Sequence, residues 1–304
     1  MILIYENIGV SIQCINELIQ QYKIDLEVVQ KNDAYDKEKV KVIVTVNHKM
    51  DMDVLSSYPN LEMIAVSFTG YDSVCEGYCK KNGIAVYNAA GYSTDSVAEL
   101  AVSLAKAVLR KIPELSNKMN DGKWQPVVGR ELAGKTVGII GVGAIGLRTA
   151  EIFKAYKCNI IAYSNTKPHD FLSLGKYVAW DELFSTSDIV TLHWPLNDET
   201  KGKVASREFQ LMKETSIIIN TARGPIICRD SLVEALKTNM IYGAGLDVYS
   251  SEPPNDSELE KLSNAVLTPH IAFRTEEALQ RKADITIKNI RNYLTEQSNI
   301  NRVI

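Results

Sequence analysis

The stretch that most constrains this chain runs from Thr136 to Tyr156, TVGIIGVGAIGLRTAEIFKAY. Val137 to Ile140 is a short apolar run of the kind that forms a buried parallel strand. It opens directly onto Gly141, Val142, Gly143, Ala144, Ile145 and Gly146, with a helical pattern behind them. At this spacing each glycine has its own physical role. Gly141 makes the tight turn, Gly143 lets the backbone approach a pyrophosphate, and Gly146 lets the helix lie close to the strand. The helix N-terminus then offers N–H groups to phosphate oxygens, so the stretch predicts a dinucleotide site.

Ahead of it, strand candidates at Ile2–Tyr5, Leu26–Val29, Val40–Val46, Met63–Ser67 and Ile84–Tyr87 alternate with helical stretches at Ile12–Tyr22 and Met52–Ser57. That alternation predicts a small parallel sheet with helices on both faces, complete before the glycine motif begins. A length of 304 residues accommodates about two domains. A long helix joins them: Ser96–Glu99 is a capping-box pattern, Val97, Leu100, Ala101, Leu104, Val108 and Ile112 follow at helical spacing, and Pro113 breaks or restarts the helix. Behind the motif, strands at Asn159–Tyr163, Asp188–Leu192, Ser216–Asn220, Gly243–Val248 and Ala265–Leu267 complete a second sheet of about six strands. A last helix runs from an N-cap at Thr275 to about Leu294.

The remaining composition excludes other classes. A net charge of −3 without a basic run gives no footprint for nucleic acid. No apolar run approaches the ~18 residues of a membrane span, and Met1–Tyr5 runs straight into Glu6 with no basic flank, so a cytoplasmic protein is expected. Five scattered cysteines fit reduced thiols. Cys75 and Cys79 are close but have no histidine near them, so no metal is expected.

Three strand ends of the second sheet carry chemistry: Arg223 after Ser216–Asn220, Asp247 and Glu252 after Gly243–Leu246, and His270 after Ala265–Leu267. Open parallel sheets bind ligands at this edge. Hydride transfer to a 2-oxo acid needs a cation for the carboxylate and a proton donor at the carbonyl oxygen. Arg223 offers a planar fork, and His270, with an ordinary pKa of ~6.5 that a neighbouring carboxylate such as Glu252 would raise, offers the proton.

Several motifs in order (AAGYSTDSVAEL at 89–100, ELAGKTVGIIGVGAIG at 131–146, INTARGPII at 219–227, AGLDVYSSEPP at 244–254, LTPHIA at 267–272) make the chain resemble the D-isomer-specific 2-hydroxyacid dehydrogenases across nearly its whole length. The resemblance implies an α/β fold of two doubly wound parallel-sheet domains. A Rossmann cofactor domain, 96–272, is inserted into a flavodoxin-like substrate domain, 1–95 completed by 273–304, with a cleft between them and usually a homodimer. It also implies Arg223 as substrate-binding arginine, His270 as acid/base and Glu252 as its partner. Asp247 resembles the position facing the nicotinamide amide, Pro195, Thr221 and Ala222 cofactor-contacting positions, and Thr69 and Gly70 the loop holding the substrate carboxylate. The expected activity is an NAD(P)-dependent oxidoreductase acting on small D-2-hydroxy acids. A dinucleotide-sensing binding protein of the corepressor kind, or a formate dehydrogenase, is the alternative.

Three features depart from the common pattern. Phe273 and Arg274 stand where a small residue often follows the histidine, and Trp194 stands near the expected adenine site. The strand ending at Tyr163 is followed by Ser164, Asn165, Thr166 and Lys167 with no acidic residue for the ribose hydroxyls, which leans the cofactor from NAD towards NADP.

Overall fold

The computed structural model describes residues 1–255 and 258–304. The chain divides into two compact units, Met1–Ser93 with Arg274–Ile304, and Thr94–Phe273. In chain order the first contains β1 (Ile2–Ile4), α1 (Ile12–Gln21), β2 (Val28–Gln30), β3 (Val42–Thr45), α2 (Met52–Ser56), β4 (Met63–Val66), α3 (Glu76–Asn82) and β5 (Ala85–Asn88). The second contains α4 (Thr94–Arg110), α5 (Ile112–Asn120), β6 (Thr136–Ile140), α6 (Ala144–Ala155), β7 (Asn159–Tyr163), β8 (Gly175–Tyr177), α7 (Trp180–Thr186), β9 (Ile189–Leu192), α8 (Ser206–Leu211), β10 (Ile217–Asn220), α9 (Arg229–Lys237), β11 (Gly243–Leu246) and β12 (Ala265–Leu267). The last helix, α10 (Glu276–Leu294), returns to the first unit.

The first unit's sheet has the order β2-β1-β3-β4-β5 with every ladder parallel, the flavodoxin-like order. β1, β3, β4 and β5 are buried along their whole length and accordingly read as largely apolar runs, whereas the edge strand β2 ends in the exposed Gln30. Ala283, Ile287 and Ile290 of α10 pack with Ile2, Ile4, Val42, Met63 and Tyr87 in its core.

The second sheet has the order β12-β11-β10-β9-β6-β7-β8, again wholly parallel. Counted from β6 this is the Rossmann order with one further strand beside its last, and the reversal between β6 and β9 is the switch point at which such sheets hold ligands. The apolar stripe of α4 packs on this sheet: a Cβ on Gly245 of β11 would lie 2.9 Å from the Leu104 Cβ, and one on Gly243 2.8 Å from a Val108 methyl.

Local expectations meet three corrections. The helix expected to be capped at Ser96 starts at Thr94, which puts Ser96 inside its first turn. Ser93, Thr94, Asp95 and Ser96 are all residue types that favour helix starts, so the sequence leaves the first turn ambiguous. The second sheet has seven strands, because Gly175–Tyr177 adds an edge strand too short to show a period. Ile112 does not continue the α4 stripe: Lys111 adopts φ 51°, Pro113 stands at the start of α5, and Ile112 is exposed. Thr275, by contrast, caps α10 as expected, accepting from the Ala278 N–H at 3.2 Å.

Candidate active site

The glycine turn is shaped as its sequence predicts. Gly141 sits at φ 93°, where a Cβ would come within 2.8 Å of the His193 carbonyl oxygen. A Cβ on Gly146 would stand 2.0 Å from the Gly141 carbonyl, so only glycine lets α6 start this close to β6. At Gly143, the residue before α6, a Cβ would meet nothing within 4 Å. The first N–H groups of α6 have no carbonyl within their own helix, and no side chain caps them. Ser164 is buried, and its hydroxyl accepts from the Val142 N–H at 3.1 Å, tying the end of β7 to the turn. Asn165, Thr166 and Lys167 are exposed beyond it. Thr221, past the end of β10, has a buried hydroxyl that finds no partner among the described residues, a costly state unless a ligand supplies one. Open space at Gly143 and this orphaned hydroxyl both fit a dinucleotide. Ala222 follows Thr221 in the same turn, and Pro195 is exposed in the loop after β9, where its carbonyl accepts from the Thr200 hydroxyl.

The loops after β10, β11 and β12 build the second part. Asn220, buried at the end of β10, ties the next turn together: its Oδ1 accepts from the Ala222 N–H and its Nδ2 donates to the Arg223 carbonyl. Gly224 follows because Tyr249 presses on it; a Cβ there would lie 2.1 Å from the Tyr249 carbonyl carbon. The Arg223 loop is thereby held against the loop carrying Glu252. Glu252 meets His270 at 2.6 Å, Oε2 to Nδ1, and its Oε1 accepts from the Tyr249 N–H. Burial pushes the Glu252 carboxyl up, but the His270 hydrogen bond and charge, the Tyr249 N–H and the Arg223 charge together hold it below its ordinary value.

Asp247 has both oxygens committed to the turn that carries the histidine. They accept from the Thr268 hydroxyl (2.6 Å), the Ile271 N–H (2.9 Å) and the Ala272 N–H (2.8 Å). His270 itself sits at φ 52°, a left-handed conformation uncommon outside glycine and stable only where neighbours enforce it. Tyr249 adds a further tie, its hydroxyl donating to the Thr268 carbonyl at 2.8 Å. Phe273 stands edge-on to the His270 ring at 5.5 Å.

A sequence reading could not find Asn220, Gly224 or Tyr249, because each acts through backbone that only the folded turn brings near. It also passed over His193, which stands beside the glycine turn. Desolvation holds that imidazole down at about 3, and it bonds the Thr191 hydroxyl, so it is a neutral packing group. Trp194 stacks on Trp180 at 5.3 Å and meets Tyr163 edge-on at 5.7 Å, forming an aromatic wall at the ends of β7 and β9. Thr69 and Gly70 follow β4 in the first unit, where the Thr69 carbonyl accepts from Asn88 Nδ2 at 2.8 Å. Among the described residues no group of three or more metal-ligating side chains occurs, and no helix is long and apolar enough to cross a membrane.

A Rossmann sheet with a glycine turn at its switch point and a carboxylate–histidine pair beside an arginine defines a class of nucleotide-dependent oxidoreductases. Residues 102–272 match the model of the D-isomer specific 2-hydroxyacid dehydrogenase NAD binding domain. The chain is 38% identical over 276 residues to the glyoxylate reductase of Thermococcus litoralis, covering 87% of this chain and 81% of that one. It is 38% identical over 271 residues to the hydroxypyruvate reductase of Thermotoga maritima, covering 85% and 88%. The crystal structure of the Aquifex aeolicus D-lactate dehydrogenase with NAD and lactic acid superposes with a TM-score of 0.89 at 27% identity, covering 100% of this chain and 99% of that one. The chain belongs to the D-isomer-specific 2-hydroxyacid dehydrogenase family of oxidoreductases.

Proposed function

We propose that this chain interconverts small 2-oxo acids and D-2-hydroxy acids, in the manner its relatives' names describe, with His270 as acid/base. The observation that carries the reading is the 2.6 Å contact between His270 Nδ1 and Glu252, on the same sheet edge as Arg223. With Nδ1–H donating to the carboxylate, Nε2 carries the proton given to the keto oxygen in reduction and taken back in oxidation. The Glu252 carboxylate steadies the imidazolium and fixes the ring. The Arg223 guanidinium binds the substrate carboxylate with two parallel N–H donors and polarises the keto group. Thr69 and Gly70 are proposed as substrate-binding residues, in keeping with the family resemblance.

A nicotinamide dinucleotide supplies or accepts the hydride. Gly141, Gly143, Ala144, Ile145 and Gly146 would cradle its pyrophosphate, the Thr221 hydroxyl, Ala222 and Pro195 would line its path, and Asp247 would fix the turn beside the nicotinamide. Past β7, Asn165, Thr166 and Lys167 face solvent with no carboxylate among them, and Lys167 Nζ lies 5.8 Å from the Tyr177 ring. We read this polar, cationic turn as accepting a 2′-phosphate, so that NADPH serves at least as well as NADH. Two copies are proposed to associate through the segment around α5, where Ile112, Met119, Trp124 and Val128 are exposed. The working site is proposed to be the cytoplasm.

The test is kcat/KM over glyoxylate, hydroxypyruvate, pyruvate and longer 2-oxo acids, each with NADH and NADPH. Turnover of at least one acid is expected; tight dinucleotide binding without any turnover would replace the enzyme with a dinucleotide sensor. A preference for NADH above tenfold would overturn the NADPH reading.

A further inference from the structure

Two tryptophans stand together beside the glycine turn, and the reaction above uses neither. Trp194 lies two residues past the end of β9, in a segment anchored by the His193 N–H, which donates at 2.7 Å to the carbonyl of Ile140, the residue just before Gly141. A Cβ on Gly141 would come within 2.8 Å of the Trp194 Cδ1, so an edge of the indole rests on the turn itself. The same ring meets Tyr163, the last residue of β7, edge-on at 5.7 Å. Trp194 therefore borders both the pyrophosphate turn at the end of β6 and the end of β7, where Rossmann sheets place the adenosine ribose.

The orientation of this ring is fixed from behind. Trp180, the first residue of α7, stacks on it with centroids 5.3 Å apart and planes 9° from parallel, a favourable offset arrangement for two aromatic rings. Trp180 is itself held: its Nε1 donates to Glu208 Oε1 at 3.1 Å, and Phe184 and Tyr163 meet it edge-on at 4.9 and 5.1 Å. Glu208 is buried, and its other oxygen accepts from the Ala205 N–H at 3.0 Å, which fixes the carboxylate in turn. Trp194 is nevertheless only half-buried. A rigid indole left partly in water at the ligand edge of the sheet offers an aromatic surface to another flat ring.

The adenosine half of a dinucleotide needs such a surface here. No carboxylate stands in the 164–167 turn to accept from the ribose hydroxyls, and the Ser164 hydroxyl is committed to the Val142 N–H. A purine stacked on an indole supplies affinity without reading the substituent at the 2′ position.

We propose that Trp194, held in place by Trp180 and Glu208, is the stacking platform for the adenine ring of the dinucleotide and takes over the anchoring role of the missing ribose carboxylate. The inference rests on the dinucleotide reading above and deepens it, because a ring contact serves NADH and NADPH equally.

The deciding experiment measures binding of ADP, NADH and NADPH to the whole chain, with reduced nicotinamide mononucleotide, which has no adenine, as the contrast. Trp194→Ala is expected to weaken ADP, NADH and NADPH alike by roughly tenfold or more, the worth of one base–aromatic stack. It should raise the dinucleotide KM much more than it lowers kcat. Reduced nicotinamide mononucleotide should be affected far less, and Trp194→Tyr should recover most of the loss. A tryptophan that merely packs would lower Tm in Trp194→Ala and shift the adenine-free mononucleotide as much as ADP. The chain has three tryptophans, so in a Trp124→Phe background ADP should quench the emission of the Trp180–Trp194 pair. That quench decides the matter if Trp194→Ala does not fold: saturation with ADP at unchanged emission would overturn the inference. Unchanged or tighter ADP binding in Trp194→Ala would overturn it too, tighter binding meaning that the ring fills the adenine slot. Each of these results keeps the reading of function, whereas a chain that binds no dinucleotide at all would overturn both.

Discussion

Glu6 and Asp247 stand at corresponding places in the two units, each just past a strand at the carboxyl edge of a parallel sheet, and each grips a neighbouring loop. Glu6 takes four donors from Thr45 to His48, and Asp247 takes three from Thr268 to Ala272. Their protonation nevertheless moves in opposite directions. Burial pushes Glu6 up, but its donors outweigh that and bring it below its ordinary 4.5. Burial pushes Asp247 up, and its three donors with the His270 charge do not cancel it, leaving it above 3.8. Asp247 is 0% exposed whereas Glu6 keeps contact with water, so burial and not the donor count sets the sign. A carboxylate that serves only to hold a loop can stay where its charge is comfortable. One that must hold the histidine turn from inside the sheet edge cannot.

The largest effects should come from removing the histidine or breaking the inner grip that holds its turn. Asp247→Ala frees the backbone that forces His270 into its left-handed conformation, and kcat should fall by roughly 10²-fold, the usual cost of a displacement near 1 Å. His270→Ala should cost about 10²–10⁴, with dinucleotide affinity nearly intact in that variant. An Asp247→Ala enzyme retaining half its kcat would show that the turn holds itself. Next in size, Gly224→Ala drives a methyl into the Tyr249 backbone and separates the Arg223 and Glu252 loops. A fall of about tenfold or more in kcat/KM for the oxo acid is expected, and wild-type kinetics would mean that the two loops are not coupled there.

The smallest effect sharpens the comparison through stability. Glu6→Gln should cost about 1 kcal/mol at neutral pH, the difference between a charge-assisted and a neutral acceptor. Because the folded Glu6 value is depressed, its contribution is present above about 4.5 and fades as pH falls through the folded value, so the gap in Tm between wild type and variant should close in acid. Asp247 has the opposite sign: the folded state holds its proton more tightly, so stability is withheld as pH rises from 3.8 through the raised value. The Tm cost of Asp247→Ala should therefore shrink as pH rises. Parallel pH trends in the two variants would sink the contrast.

Much of this was legible in the chain because the signals are local. The glycine spacing fixed strand, turn and helix from 136 to 156, and unbroken β-branched runs marked buried parallel strands. Arg223, Glu252 and His270 each stand a few residues past such a run. What escaped depends on neighbours distant in sequence. Nothing around Gly224 announces that Tyr249 will lie against it, and nothing around Asp247 says that its oxygens will be spent on Ile271 and Ala272. Ser164 stands out in the sequence only as a non-acidic residue after β7; its bond to the Val142 N–H of the glycine turn joins residues 22 apart in the chain.

The first unit is built from two segments, one on each side of the second unit in the sequence, so the order of synthesis matters to it. Its core needs Ala283, Ile287 and Ile290 from α10, and the Val86 N–H and carbonyl pair with Ile304 and Val303. A ribosome that has released residues 94–273 has delivered everything the second unit requires, while the first sheet still lacks one wall. The second unit can thus consolidate first on the nascent chain, leaving strands made before it to wait for a helix made after it. Premature termination just before α10 would then yield a product with one finished half and one exposed apolar sheet face, a natural target for chaperones and proteases.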